Sequence, residues 1–277
     1  MNNRMPKILG TFTLIIMIVC SSFFGACSQK EAKGKKHTVT IAGSTSVMPF
    51  TEKLAEHFMV DHPDFVVNVQ GGGSSAGIQA CLLRTVDIGM SSRELKEGET
   101  ALADTVICFD GIAIIVNPGN PLRNITLSQV KSIYSGQVKN WKDLGWIDRQ
   151  IDAVTREEGS GTRGAFEELV MKKEEISPAI MVQDSNGSVK EVVATDPYAI
   201  GYISLGMVDE KIIALKVDGI TPNLENIREK RYTIVRPFLF LTLGQPRPTV
   251  FTFIGYVLSE EGQEILRKEG LITKVYE

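Results

Sequence analysis

The amino-acid sequence predicts an α/β protein built from two lobes. Three times along the chain, a short apolar segment leads into a loop of glycine and hydroxyl residues and then into an amphipathic segment, which is the order of a strand, a turn and a helix. Short strands that alternate with helices are typical of α/β architectures. Two longer apolar segments, residues 106–116 and 236–242, are expected to cross between the lobes, because a strong turn at 117–121 follows the first of them.

The first 27 residues have the pattern of a secretory signal. Arg4 and Lys7 precede an apolar run that is too short to predict a membrane-spanning helix, and small residues follow it. Residues 24–27 read Phe-Gly-Ala-Cys and resemble a bacterial lipobox, so we expect Cys27 to be lipidated and to anchor the chain to the membrane. A plain signal peptide without lipidation is the alternative.

Composition and the two crossing segments indicate the domain bounds. Polar and basic residues 28–37 are expected to form a tether between the anchor and the folded part. The first lobe is expected to comprise residues 38–116 and 235–277, and the second lobe residues 117–234. The chain therefore returns to the first lobe at its end, and its 277 residues, 43% of them hydrophobic, are enough for a sizeable core in each lobe.

Charge, histidine and cysteine content exclude several classes of function. Beyond residue 27 the chain carries 28 basic and 33 acidic residues, a net charge of −5, which is not typical of a nucleic-acid-binding protein. No histidine–cysteine cluster has the spacing of a metal site, and no cofactor is expected. Cys81 and Cys108 could form a disulfide in a secreted protein or stay free in the core, and both alternatives remain open.

The three loops, residues 43–46, 70–77 and 156–162, are the candidate binding elements. Each precedes a predicted helix, whose first turn presents unpaired N–H groups and a partial positive charge. Serine and threonine add hydroxyl donors, and Arg156 adds a fixed cation. Because such loops face the ligand crevice of open α/β sheets, we expect them to close around a small oxyanion between the lobes. The absence of a G-x-x-x-x-G-K-[ST] or G-x-G-x-x-G sequence favours a bare oxyanion over a nucleotide.

One segment matches an enzyme motif. Residues 73–77 read Gly-Ser-Ser-Ala-Gly, which is the G-x-S-x-G pattern of the nucleophile elbow in α/β-hydrolases. That chemistry needs a histidine general base after the serine, and His62 is the last histidine of the chain. A binding protein without catalysis is therefore favoured, and a secreted phosphoester hydrolase is the alternative of another class.

Seven segments carry a family signature: they are residues 43–46, 70–77, 87–92, 134–141, 156–162, 199–202 and 236–239. In this number and order they resemble the phosphate-binding proteins of bacterial Pst-type ABC transporters. The resemblance implies a type II periplasmic-binding-protein fold, with the ligand in the interdomain cleft and the two crossing strands as a hinge. It also implies a monomer outside the cytoplasm that delivers inorganic phosphate to a membrane permease and its ATPase. The alternatives are a receptor for sulfate, molybdate or a phosphonate, and a signalling or adhesive protein of the same fold.

The resemblance implies nine phosphate-binding residues: Thr45, Ser46, Ser74, Ser75, Ser92, Arg156, Ser160, Gly161 and Thr162. The family has an aspartate at position 92 that accepts a proton from bound phosphate, and Ser92 departs from this pattern. How this chain would distinguish phosphate from sulfate is therefore an open question at the level of the sequence.

Four charged residues near these positions have less specific expectations. Glu157 or Glu158 could supply the missing acceptor, but the commoner role of either is to orient Arg156 by a salt bridge, which the resemblance implies for the position of Glu158. Arg93 is expected to be a surface cation, with contact to the rim of the ligand as the alternative. Arg236 is assigned to the hinge because it precedes a proline in a crossing strand.

Overall fold

The computed structural model describes residues 36–273. Eleven strands, β1 to β11, lie in this part of the chain: His37–Gly43, Phe65–Gly71, Ile88–Ser91, Ala103–Val116, Asn124–Ile125, Asp152–Arg156, Met181–Gln183, Ala199–Ser204, Ile213–Ala214, Lys216–Val217 and Val235–Thr242. Eight α-helices, α1 to α8, lie in it as well: Met48–Asp61, Ser74–Leu82, Leu127–Tyr134, Gly161–Phe166, Asn186–Thr195, Leu224–Arg228, Pro248–Leu258 and Glu260–Lys268. A π-helical segment, Glu167–Met171, continues α4.

Nine of the strands form one mixed sheet. The order of neighbours is β2-β1-β3-β11-β4-β8-β6-β7, and β9 also pairs with β4. Strand β1 runs parallel to β2 and β3, and β6 runs parallel to β7 and β8. Between these two parallel groups, β11 and β4 are antiparallel to each of their neighbours on the path. Parallel strands need crossover connections, which helices supply here, and the predicted α/β class is confirmed.

Strand β4 passes through two apolar cores. Its first part pairs with β11, and its last part, residues 112–116, pairs with β8. Ile107 packs in one cluster of buried side chains with Phe240 of β11, whereas Ile114 packs in another cluster with Tyr202 of β8. Each half of the sheet therefore has its own core, and β4 and β11 connect the two. The bounds of the lobes stay a prediction.

The three predicted strand–loop–helix units are present in the structure. Strand β1 leads into α1, β2 leads into α2, and β6 leads into α4. Pro49 lies in the first turn of α1, where the backbone N–H that proline lacks would have no partner within the helix. The sequence did not predict β5, β7, β9 and β10, which are only two or three residues long and so carry no detectable alternation of apolar and polar residues.

One bound of the predicted tether is wrong. His37 was assigned to the tether, but it is the first residue of β1. Its backbone N–H donates to the carbonyl oxygen of Asp64, and its ring packs on Phe65 with 5.1 Å between the ring centroids. These contacts with the neighbouring strand extend β1 by one residue. The sequence does not indicate this extension, because His37 is polar and follows Lys35 and Lys36.

Helix α2 packs closely on β1 through two glycines. A Cβ atom on Gly77 would lie 2.6 Å from the carbonyl oxygen of Ala42 and 2.6 Å from the Cα atom of Gly43. Gly43 has a φ angle of +143°, and a Cβ atom there would lie 2.2 Å from the carbonyl oxygen of Met90. The two glycines thus bring the start of α2 against the ends of β1 and β3, so that the second loop lies next to the first.

The described cysteines are free thiols. Cys81 and Cys108 belong to different clusters of buried side chains, and burial raises the pKa of each thiol. Among residues 36–273, no helix is long and apolar enough to cross a membrane, and no group of acidic, histidine and cysteine side chains could hold a metal ion. The predicted signal segment and Cys27 lie outside the described residues.

Candidate functional site

Five buried hydroxyl groups meet where the three glycine-rich loops converge. They belong to residues that are each at most 2% exposed, and we refer to them as the hydroxyl cluster: Ser44, Ser46, Ser74, Ser92 and Thr162. The first two lie in the loop after β1, the third begins α2, the fourth follows β3, and the last is in the first turn of α4. The cluster therefore combines side chains from both halves of the sheet.

Hydrogen bonds connect the members of the hydroxyl cluster. Ser92 Oγ accepts a bond from Ser44 Oγ at 2.9 Å and another from Ser46 Oγ at 3.2 Å. The backbone N–H of Ser92 donates to Ser74 Oγ at 3.1 Å. Ser46 Oγ and Thr162 Oγ1 lie 2.9 Å apart, and this contact joins the two halves of the sheet. The cluster concentrates hydroxyl groups at one buried point, as a site for a small polar ligand requires.

Gly161 leaves room for the hydroxyl cluster. A Cβ atom at this position would lie 2.2 Å from Ser74 Oγ and 2.6 Å from Ser92 Oγ. Helix α4, which Gly161 begins, is supported from its other end by Phe166, whose ring stacks on that of Tyr202 with 4.0 Å between the centroids. The backbone of the first turn of α4 can therefore approach the hydroxyls directly.

The buried guanidinium of Arg156 lies next to this cluster. Its side chain is 1% exposed, and Glu157 accepts bonds of 2.9 Å from both Nε and Nη2. Nη2 also donates to Thr45 Oγ1 at 3.2 Å, and the carbonyl oxygens of Gln183 and Asp184 accept further bonds. Nη1 is buried and has no hydrogen-bond partner among residues 36–273. A buried charged donor without a partner is costly, so Nη1 is well suited to an anionic ligand.

Two of the nine predicted residues, Ser160 and Ser75, make hydrogen bonds outside the hydroxyl cluster. Ser160 is the N-cap of α4, because its hydroxyl accepts a 3.2 Å bond from the backbone N–H of Arg163. The hydroxyl of Ser75 lies 3.4 Å from Nη2 of Arg93, and the backbone N–H of Ser75 donates to Gly159 at 3.0 Å. The binding roles of all nine residues stay a prediction. The remaining seven belong to the hydroxyl cluster or border it: Thr45, Ser46, Ser74, Ser92, Arg156, Gly161 and Thr162.

Three polar residues of the site were missing from the predicted set. Ser44 lies inside a predicted loop, so the sequence did contain a signal for it. Asn186 donates from Nδ2 to Thr162 Oγ1 at 3.4 Å, and no motif marks it. Arg236, which was assigned to the hinge, donates from Nη1 to Ser92 Oγ at 3.3 Å. It lies on a crossing strand as predicted, but it also contacts the hydroxyl cluster.

Two expectations about charged residues can now be decided. Glu157 orients Arg156, whereas Glu158 is exposed. The expectation of a surface cation at Arg93 is wrong, because this side chain is only 5% exposed and pairs with Glu99 at 2.8 Å. The hydrogen bond from Arg93 holds the pKa of the Glu99 carboxyl below its usual value. Arg93 is thus a buried structural cation beside the loop that contains Ser92.

A buried ion pair borders the cluster on the side of the crossing strands. Asp110 of β4 is 0% exposed, and its Oδ2 accepts from Nε and Nη2 of Arg236 at 3.2 Å and 3.0 Å. Ser204 donates to Oδ1 of Asp110 at 2.9 Å. Burial raises the pKa of the Asp110 carboxyl, and the charge of Arg236 opposes this shift. Because Arg236 also contacts Ser92, the pair joins both crossing strands to the hydroxyl cluster.

The G-x-S-x-G segment lacks the partner that hydrolysis needs. No histidine in the described part of the chain hydrogen-bonds to Ser75, the central serine of the pattern. His37 and His62 instead pack against Phe65 and Phe58. A serine hydroxyl without a general base is a hydrogen-bonding group and not an activated nucleophile.

Known proteins share both the sequence and the fold of this chain. Residues 28–261 match the PBP superfamily domain. The phosphate-binding protein PstS of Bacillus subtilis is 33% identical to this chain over an alignment of 280 residues, gaps included. The alignment covers 94% of this chain and 93% of that protein. The phosphate-binding protein PstS of Borreliella burgdorferi is 29% identical, and the match covers 94% of this chain and 96% of that protein.

Two solved structures have the same architecture. A Clostridium perfringens protein with bound phosphate, assigned as the substrate-binding protein of a phosphate ABC transporter, is 43% identical. The match covers 86% of this chain and 100% of that chain, with a TM-score of 0.84. An ABC-type phosphate transport receptor from Vibrio cholerae is 38% identical, covers 85% and 99% of the two chains, and has a TM-score of 0.71. The predicted periplasmic-binding-protein fold is confirmed. The chain belongs to the PBP superfamily and, within it, to the family of the PstS phosphate-binding proteins.

Proposed function

We propose that this protein binds inorganic phosphate outside the cytoplasm and delivers it to the permease and ATPase of an ABC importer. The observation that carries the proposal is the buried Arg156, whose Nη1 has no partner among the described residues, next to five buried hydroxyls. A tetrahedral oxyanion offers these donors an opposite charge and acceptor oxygens on every side. Phosphate is favoured as the anion because relatives are named phosphate-binding proteins and the Clostridium perfringens structure contains phosphate.

Phosphate binding is expected to hold the two lobes together. Ser46 contacts Thr162, and Thr45 contacts Arg156, so the residues that would hold the anion also bridge the predicted lobes. The hydroxyls and backbone N–H groups would replace the water shell of the anion, and the guanidinium of Arg156 would offset its charge. Closure of the lobes then excludes water from the site. This is a substrate-binding protein and not an enzyme, in keeping with its family, whose relatives are named phosphate-binding proteins.

A calorimetric titration tests the proposed ligand. We expect saturable binding of one phosphate per chain, and we expect deletion of the gene to lower phosphate uptake by the cells. Tight binding of molybdate or a phosphonate without binding of phosphate would support a receptor for another oxyanion. Turnover of a generic phosphate ester would support the hydrolase alternative instead.

The replacement Arg156→Ala is expected to weaken phosphate binding by about 2–5 kcal/mol, because it leaves the charge of the buried anion without its partner. Isothermal titration of both proteins measures the difference. Arg231→Ala is a suitable control, since Arg231 is about half exposed at 49% and pairs with the surface residues Glu225 and Glu229. Unchanged phosphate affinity in Arg156→Ala would remove Arg156 from the site.

The replacement Gly161→Ala is expected to weaken phosphate binding by about 1–3 kcal/mol through overpacking of the hydroxyl cluster. The added methyl group would overlap Ser74 Oγ and Ser92 Oγ, which lie 2.2 Å and 2.6 Å from the position of its carbon atom. The matched control is Gly159→Ala, because a Cβ atom on Gly159 would meet only the Cβ atom of Ser75 at an ordinary 3.7 Å. Equal phosphate affinities of the two variants would show that the cluster does not close around the ligand.

We further propose that the mature protein is a monomer anchored to the cell membrane by a lipid on Cys27. The support is the lipobox-like sequence of residues 24–27 after a basic and apolar start. The replacement Cys27→Ser is expected to move the protein from the membrane fraction to the soluble fraction of cells and to abolish incorporation of labelled palmitate. A wild-type protein that takes up no label would contradict lipidation, and light scattering of the purified protein tests the monomer.

A further inference from the structure

Arg236 is fixed against the hydroxyl cluster by its partner. Two of its nitrogens, Nε and Nη2, donate to Asp110 Oδ2. The third, Nη1, donates to Ser92 Oγ at 3.3 Å and to the carbonyl oxygen of Ser92 at 3.4 Å. The guanidinium group is planar, so Nη1 cannot turn away while the other two nitrogens are held. Arg236 is 2% exposed, and it therefore keeps a cation beside Ser92.

Ser92 Oγ has more donors around it than lone pairs. It accepts bonds from Arg236, Ser44 and Ser46, whereas a hydroxyl oxygen has two lone pairs and one proton. The hydroxyls of Ser44 and Ser46 can rotate toward a ligand, but Arg236 cannot. A cation bonded to the oxygen also makes the O–H group a stronger donor and a weaker acceptor. Ser74 Oγ lies 3.5 Å from Ser92 Oγ and is a distant acceptor for the Ser92 proton, so Ser92 offers this proton to a ligand that comes closer.

Each nearby carboxylate is paired with a guanidinium group, Asp110 with Arg236 and Glu157 with Arg156. Both oxygens of Asp110 accept bonds from neighbouring side chains, and both oxygens of Glu157 accept bonds from Arg156. The other groups whose charge acts on Arg236 are Arg156 and Tyr202. Burial raises the pKa of Tyr202 to about 12, so its hydroxyl keeps its proton at neutral pH. Among the described residues, the side chains that surround the cluster thus offer mainly donors, and the charge of each nearby carboxylate is offset by its guanidinium partner.

We propose that Arg236 determines the anion specificity of the site. By holding Ser92 as a donor at the position where a ligand proton would need an acceptor, it makes the site prefer a doubly charged oxyanion. The inference rests on the proposed function, and it specifies which form of the anion is bound. A site that hydrogen-bonds to one particular group of its substrate rejects an analogue lacking that group by about 10⁴-fold. A site that makes no such bond discriminates between the substrate and the analogue by about 100-fold. Sulfate, a dianion without a proton, should therefore compete with phosphate.

Titration of the unaltered protein with phosphate and with sulfate, at about pH 5.5 and about pH 8, gives the first test. Phosphate gains its second charge in this range, and its apparent affinity is expected to rise at least about fivefold as the dianion becomes populated. The affinity for sulfate is expected to stay constant. At the higher pH, sulfate is expected to bind less than about 100-fold more weakly than phosphate.

Two variants separate this role of Arg236 from a structural one. Ser92→Asp places a carboxylate beside Arg236, and it is expected to lower the affinity for sulfate relative to phosphate at least about tenfold. Asp110→Asn combined with Arg236→Gln removes the cation without leaving a buried charge unpaired. This paired variant is expected to lose both the rise of phosphate affinity with pH and the binding of sulfate. The control Arg247→Gln removes an exposed guanidinium that pairs with Asp87. In this variant, the ratio of sulfate affinity to phosphate affinity should stay unchanged, and so should the rise of phosphate affinity with pH.

The inference is overturned if the unaltered protein binds sulfate more than about 100-fold more weakly than phosphate at the higher pH, or if its phosphate affinity does not change with pH. It is equally overturned if Ser92→Asp leaves the ratio of the two affinities unchanged. Thermal unfolding shows whether the paired variant folds, and if it does not, the unaltered protein and Ser92→Asp still decide. Failure of both anions to bind the unaltered protein would contradict the proposed function instead.

Discussion

The buried ion pair between Asp110 and Arg236 is the interaction on which the arrangement of the site depends. Each residue lies on a strand that connects the two cores, and each would be costly to bury alone. Together they neutralise each other's charge. Ser204 donates a hydrogen bond to the second carboxylate oxygen of Asp110, and Ser92 accepts one from the remaining nitrogen of Arg236. A contact inside the sheet thus fixes the position of a hydroxyl in the candidate site. The same two residues therefore support the fold and position the donors for the ligand.

A small anion must be surrounded from several directions at once, and this constrains the size of the side chains around it. The loops meet this constraint with short hydroxyl residues and with glycines that allow close approach of backbone segments. Gly77 brings α2 against β1, and Gly161 brings the start of α4 against Ser74. Arg156 and Arg236 contribute the long side chains next to the hydroxyl cluster, and each is held by a carboxylate that limits its freedom.

Local patterns in the sequence were sufficient to predict the α/β class, the strand–loop–helix units and the place of Arg156 beside the converging loops. These features are encoded within segments of about ten residues, where loop chemistry and apolar periodicity can be read together. The role of Arg236 could not be predicted, because its partner Asp110 lies 126 positions away in an apolar segment. The burial of Arg93 likewise depends on tertiary packing. The choice of Glu157 over Glu158 depends on the direction of the backbone at the end of β6, which composition does not determine.

Cys81 and Cys108 remain thiols in separate cores, and this affects the conditions under which the chain can fold. The described residues are held together by packing and hydrogen bonds without a covalent cross-link between these two cysteines. The same fold is therefore accessible in a reducing cytoplasm and in an oxidising exterior. In the described part of the chain, folding therefore does not depend on a disulfide between Cys81 and Cys108, whichever redox environment the chain meets.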